Sequence, residues 1–250
     1  YASAFNYKIQ ALFFKLCYWV ADSCIIVSQS DLKNIFKVSS LKKKLSYSEH
    51  VINTKLFIAD VPKEKIFTSI VWMGDEGNVV RKGVDKALQI FAELKKIPEF
   101  VDYRFVIIGR KGEGEVLVRS IIDKYNLKGS VELKGEVSEE DKINLLKQSK
   151  YYFQLSLYEG FGLAALEALC ANNIIIHSGK GGLANPIYKE QLLFDIDNDF
   201  DSELLKLVNK LACFTPITSY DNLLEYYDIQ RRKDDFEAII VNGKSNYKLK

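Results

Sequence analysis

From Thr68 onward, short apolar runs alternate with stretches of helical spacing, and no other feature constrains the fold as strongly. The runs predict strands at Ser69–Met73, Tyr103–Ile108, Ser130–Leu133, Tyr151–Ser156, Asn173–His177 and Gln191–Phe194. Between them, Val84–Lys96, Val116–Tyr125 and Asp201–Ala212 carry helical periodicity. Ser138-Glu139-Glu140-Asp141 reads as a helix N-cap with acids in the first turn. Strands separated by helices imply an α/β fold, a parallel sheet with helices on both faces. The stretch from Thr218 to about Val241 predicts a last charged helix, with a frayed polar tail beyond Asn242. Before residue 60 the pattern differs: Phe5–Val20 is strongly apolar, Cys24–Val27 predicts a strand and Asp31–Phe36 a helix.

The 250 residues, 48% of them hydrophobic, suffice for one large domain or one domain and part of another. Charged residues of both signs make up 27%, which excludes a disordered chain. A net charge of +2 gives no case for nucleic acid as partner, although residues 1–50 carry seven lysines against three acids. Cys17, Cys24, Cys170 and Cys213 show no metal or Cys-x-x-Cys spacing and read as buried free thiols of a reducing compartment. With only His50 and His177, no multi-histidine metal site is expected. No signal-peptide pattern is visible and no apolar run reaches the ~18–20 residues of a membrane span. A start at Tyr1 rather than Met predicts a piece of a longer or processed chain.

Function is concentrated in Glu159-Gly160-Phe161-Gly162-Leu163-Ala164-Ala165-Leu166-Glu167, where a strand passes through two glycines into a helix. Glycine lets a ligand approach the backbone, and the unpaired N–H groups of a helix start favour phosphate. Two carboxylates suit hydroxyls instead, so the combination points to a nucleotide sugar. Lys82 supplies a compact positive charge for a diphosphate. Gly109-Arg110-Lys111-Gly112-Glu113-Gly114 lacks the Gly-x-Gly-x-x-Gly spacing and follows the second strand, which argues against a dinucleotide. His177 closes a buried strand and reads as a packing residue; His50 lies in a loop with no partner suggested by spacing.

The Glu159–Glu167 run resembles the Glu-x7-Glu signature of retaining GT-B glycosyltransferases, glycosyltransferase family 4. Lys82-Gly83-Val84-Asp85 resembles that family's Lys-Gly step, and Phe105–Gly109 its second strand and glycine turn. Val131–Val137 is similar to its third strand, and Gly181-Gly182-Leu183 to its later glycine loop. The resemblance implies that Glu167 holds the ribose and Glu159 the transferred sugar, with Lys82 and the backbone of Gly160, Phe161, Gly162 and Leu163 at sugar and phosphates. Gly109 and Arg110 would lie below the base, while Gly135, Glu136 and Val137 would contact it. The family's arginine after the first strand is replaced by Asp75, which cannot do the arginine's work and leaves Arg81 and Arg110 as the candidates to replace it. The resemblance implies hexosyl transfer from a nucleoside diphosphate sugar to an acceptor hydroxyl with retention, by a front-face route and without a metal or other cofactor.

Ala21–Ser28 resembles the closing strand of the family's acceptor domain, so residues 1–62 are expected to be a remnant of that domain and linker. Residues 63–217 form the expected Rossmann-like donor domain and 218–250 a C-terminal helix and tail. The lysine run Leu41–Leu45 and Phe5–Val20 read as acceptor-domain surface, with a membrane-surface patch as the alternative. A cytoplasmic protein follows, at the inner face of a membrane if that patch is used. Its partners would be a nucleotide sugar, a glycan or lipid-linked acceptor, and a second chain or domain completing the cleft. The competing function is a non-catalytic donor-site relative that regulates an active transferase.

Overall fold

The computed structural model describes residues 4–28, 44–58, 61–214 and 225–242. The expected helix at Asp31–Phe36, the first part of the expected last helix and Lys42 and Lys43 lie outside them. The chain opens with α1 (Ala4–Val20) and two short strands, β1 (Cys24–Ile26) and β2 (Leu45–Tyr47), paired in parallel. Lys44 terminates α1 from a distance: its ammonium donates to the carbonyls of Trp19 (3.0 Å) and Ala21 (2.6 Å), groups a helix end leaves unpaired. Helix α1 itself leaves Phe13, Trp19 and Val20 exposed.

The body of the chain is a six-stranded parallel sheet. Its strands are β3 (Glu64–Ile70), β4 (Arg104–Ile108), β5 (Val131–Gly135), β6 (Ser149–Gln154), β7 (Ile174–His177) and β8 (Leu192–Leu193). Their spatial order is β5-β4-β3-β6-β7-β8, so the winding reverses between β3 and β6. Residues of alternate parity face opposite layers, as a pleated strand requires. Phe67, Phe105, Ile107, Tyr151 and Phe153 enter one core with α3 (Val84–Leu94), α4 (Gly114–Lys124) and α7 (Phe200–Cys213). Tyr152 and Ile175 enter the other with α6 (Leu163–Cys170), while Ile66, Val106 and Ile108 meet Leu145 of α5 (Glu139–Gln148). Phe67 stacks on Tyr151 and Phe153 at centroid separations of 4.6 and 5.1 Å.

The helix starts follow local chemistry. Ser138 accepts from the Asp141 N–H (3.1 Å) ahead of α5, and Asp199 from the Ser202 N–H (2.9 Å) ahead of α7. Lys63 donates to the Lys147 and Ala171 carbonyls (2.9 and 2.5 Å), closing the ends of α5 and α6 together.

Three expectations need correction. The first sheet strand is Glu64–Ile70, not Ser69–Met73. Its charged start is exposed, and the apolar run after it still donates to the end of β4 and the loop beyond, Val71 N–H to Ile108 O and Met73 N–H to Arg110 O. The polar loop expected after it contains a short helix, α2 (Glu76–Arg81), capped by Asp75 through the Asn78 N–H (2.7 Å). All four cysteines are free, but only Cys170 is buried; Cys17 and Cys213 are exposed. No helix among the described residues is long and apolar enough to cross a membrane.

The last described element is α8 (Ile229–Asn242), which turns back onto the segment between β2 and β3. The Ile52 N–H donates to the Tyr227 carbonyl (3.0 Å), and Ser48 Oγ to Asp235 (2.7 Å).

Candidate active site

In an open parallel sheet, ligands bind beyond the carboxyl ends of the strands where the winding reverses. Here that point lies between Ile70 and Gln154, and three glycine-dependent loops converge on it. Gly162 caps α6 in the left-handed region (φ 88°), a turn that costs glycine no Cβ strain. Gly83 also has positive φ (69°), and a Cβ on it would overlap the Leu155 carbonyl oxygen. Only glycine therefore lets the Lys82-Gly83 step lie across the end of β6. The Gly182 N–H donates to the Glu159 carbonyl (2.6 Å), which presses the later glycine loop against the same turn.

These constraints bring Lys82 and Glu159 together from positions far apart in sequence. Lys82 Nζ stands 2.7 Å from Glu159 Oε2, with the two side chains 23% and 15% exposed. The same oxygen accepts from Gln154 Nε2 and Ser156 Oγ, each at 3.1 Å. Three donors on one carboxylate oxygen fix its position. Beside the pair lies a cavity of about 280 Å³, lined by Lys82, Gln154, Glu159, Phe161, Leu163 and, from the segment before the sheet, His50.

Glu167 sits further along α6 and outside that cavity. Its carboxylate pairs with Lys142 of α5 at 3.0 Å, and Lys142 also reaches Glu139 at 2.8 Å. Burial pushes the Glu167 pKa up, against the pull of Lys142 and with the push of Glu139. Burial also works against the charge of Lys142, yet its two carboxylate partners carry its pKa above the ordinary lysine value. Tyr152 is wholly buried; burial raises its phenol pKa, and the charges of Glu167 and Glu159 raise it further.

Other expected residues occupy neighbouring loops without joining the cavity. Arg81 is exposed and donates to Asn78 Oδ1 (2.5 Å), and Arg110 is exposed. Gly109 donates its N–H to the Gly135 carbonyl (2.8 Å), and Val137 packs on the core under β4. Gly160 has open space where a Cβ would stand. Asp75, in the place expected to hold an arginine, caps α2. His177 is buried, as expected of a packing residue, and burial lowers its pKa to about 4. Among the described residues, no group of three or more His, Cys, Asp or Glu is placed to hold a metal ion.

Sequence reasoning missed Lys142, Gln154, Ser156 and His50. The first three are ordinary polar residues whose roles appear only when α5, β6 and α6 are packed. His50 carries no local signal at all.

Comparison with known proteins bears on the fold and the family. The chain is 32% identical over 163 residues to the GDP-mannose:cellobiosyl-diphosphopolyprenol alpha-mannosyltransferase of Xanthomonas oryzae pv. oryzae, covering 57% of this chain and 40% of that protein. It is 30% identical over 105 residues to one of the subunits of the phosphatidylinositol N-acetylglucosaminyltransferase of Homo sapiens, covering 42% of this chain and 21% of that one. The chain thus spans less than half the length of these curated relatives. Among solved structures, sucrose-phosphate synthase from Thermosynechococcus elongatus superposes with a TM-score of 0.75 at 20% identity, over 97% of this chain and 65% of that one. At that identity the likeness shows the fold, which is that of GT-B enzymes. The sequence profile described as glycosyl transferases group 1 matches residues 77–212, from α2 through α7, and the chain belongs to that family.

Proposed function

We propose that this chain is the donor-binding half of a retaining glycosyltransferase of family 4, moving a hexosyl unit from a nucleoside diphosphate sugar to an acceptor hydroxyl. The observation that carries the reading is the Lys82–Glu159 pair beside the start of α6, with Glu167 on the same helix. Lys82 and the N–H groups of the first helical turn meet the diphosphate, whose charge grows as the glycosidic bond breaks. Glu159, already fixed by three donors, keeps lone pairs for the hydroxyls of the transferred sugar. Glu167 accepts from the ribose. The bond from the anomeric carbon to the leaving phosphate breaks as the acceptor oxygen attacks the same face, and the leaving phosphate takes the acceptor's proton. Positioning and charge stabilisation carry the catalysis, and the reading requires no divalent ion.

The names of the relatives favour a lipid-linked acceptor, since one acts on a diphosphopolyprenol and another on phosphatidylinositol. That acceptor would place the enzyme at the inner face of a membrane, with a further domain or chain closing the cleft. One observation favours the alternative of a non-catalytic relative that regulates an active transferase. Asp75 is committed to capping α2 and leaves the diphosphate one arginine short.

Calorimetric titration with UDP, GDP and ADP, each repeated as its diphosphate sugar, tests the proposal. Micromolar binding of one base is expected. A folded chain that binds none of them refutes the donor site.

A further inference from the structure

The cavity beside Lys82 and Glu159 has a wall that the parallel sheet does not supply. His50 precedes β3, outside the residues that match the family profile, yet it lines the same space. Its ring meets Phe161 edge-on, with centroids 5.3 Å apart and an interplanar angle of 74°. Phe161 belongs to the turn that leads into α6, so this contact seats the imidazole on the site itself.

His50 is held there by its neighbours rather than left on a loose loop. Glu49 is buried, and its Oε1 accepts from Tyr47 (2.5 Å) and from Asn185 Nδ2 (2.8 Å). Its Oε2 accepts from Tyr227 (3.2 Å). Arg232 Nη1 donates to the Ser48 and Glu49 carbonyls at 2.6 and 2.5 Å. Asn185 also caps the turn that follows Gly181-Gly182, through the Ile187 N–H (3.1 Å). Glu49 therefore ties three pieces together: the segment before the sheet, the glycine loop behind Glu159, and the C-terminal segment.

The cavity's volume of about 280 Å³ lies just below the range of ligand sites, about 300–1,000 Å³. It has room for one sugar-sized group and not for a whole nucleotide sugar. Its polar lining is a carboxylate, an amide, an ammonium and an imidazole, with Phe161 as the apolar face. Burial first, and the positive charge of Arg232 second, lower the His50 pKa, which favours the neutral ring. A neutral imidazole offers one donor and one acceptor, which matches a sugar hydroxyl, itself both donor and acceptor.

We infer that His50 binds the transferred sugar, completing from outside the parallel sheet a pocket whose other polar groups are Glu159, Gln154 and Lys82. The inference rests on the donor-site reading above and adds a specificity-determining residue to it. His50 contributes to the affinity for the sugar and not to that for the nucleotide.

The test compares the unsubstituted 250-residue chain with His50→Ala and His50→Gln by calorimetry. The probes are UDP, GDP and ADP, then UDP-N-acetylglucosamine, UDP-glucose, GDP-mannose and ADP-glucose. Circular dichroism and the urea midpoint establish that each variant is folded. His50→Ala is expected to bind the preferred nucleotide within twofold of the unsubstituted chain, while its affinity for the matching nucleotide sugar falls at least fivefold. His50→Gln, which keeps a donor and an acceptor, is expected to recover part of that loss. Equal losses for nucleotide and nucleotide sugar, or no loss for either, overturn the inference while leaving the donor site standing. So does an unsubstituted chain that binds a nucleotide and its sugar form equally. A folded unsubstituted chain that binds no nucleotide overturns the donor-site reading, and the role of His50 with it.

Discussion

Replacing Glu167 by alanine separates two jobs that one carboxylate performs. In the free protein it pairs with Lys142 at 3.0 Å, and its side chain is 16% exposed. A carboxylate has about four lone-pair sites, so that pairing leaves room for two ribose hydroxyls. Loss of hydrogen bonds to a charged group costs about 1.5–3 kcal/mol, which is a fall of roughly tenfold to somewhat over a hundredfold in nucleotide affinity. The stability cost is smaller. Orphaning a buried charge costs about 3–5 kcal/mol, but Lys142 keeps Glu139 at 2.8 Å, and burial already disfavours the charge of Glu167. A loss of about 1–2 kcal/mol in urea unfolding is expected. Glu167→Gln, which keeps the shape and one acceptor, should fall between the two in nucleotide affinity. Calorimetry with the preferred nucleotide reads the first quantity and denaturation the second. If Glu167→Ala is folded and binds nucleotide within twofold of the unsubstituted chain, Glu167 does not hold the ribose.

Three further outcomes follow from the packing. His177 has a folded pKa of about 4 against 6.5 when unfolded, so only the unfolded chain takes its proton as pH falls between those values. Stability should fall by about 3 kcal/mol from this group across that window, and His177→Leu should flatten the fall; an unchanged pH profile of the urea midpoint refutes the assignment. Gly83→Ala forces a Cβ onto the Leu155 carbonyl at positive φ and should cost at least about 2 kcal/mol while weakening nucleotide binding. A variant with the unsubstituted melting temperature would show that the turn relaxes freely. Lys63→Met removes the ammonium that closes α5 and α6, and thermal unfolding should register a loss of about 1–3 kcal/mol; no shift means the freed carbonyls find other partners.

The layered parallel sheet is legible in the sequence because its strands are short apolar runs with helical spacing between them. Its first strand is displaced from the expected place for a physical reason. Ile70-Val71-Trp72-Met73 is the most apolar part of that run, but pairing begins earlier, at the exposed Glu64 opposite Ser149 at the start of β6 and at Ile66 opposite Arg104 at the start of β4. Helix α2 reads as loop because Gly77 and Asn78 are weak helix formers, although Asp75 and Glu76 are a usable N-terminal signal. Glu159, Glu167 and Lys82 are found through resemblance, but their partners are not. Lys142 lies 25 residues from Glu167, and nothing in its own surroundings marks it. The place of His50 depends on contacts with the far end of the chain, beyond the reach of any local pattern.

Those contacts also set an order of assembly. Ser48 and Asp235 meet across 187 residues of sequence, and Tyr227 and Glu49 across 178. Contacts of such separation are the last to become available to a chain emerging from the ribosome, whereas β3 through α7 can already fold. A chain ending at residue 214 would hold Lys82, Glu159 and Glu167 in place but leave the segment carrying His50 with its contacts to Asn185 and Phe161 and without those to Tyr227, Arg232 and Asp235. Limited proteolysis of that truncated chain should cut within residues 44–58 while sparing the sheet; equal protection of both would show that the latch is dispensable. Synthesis of α8 would then act as the step that switches a half-formed pocket into a complete one.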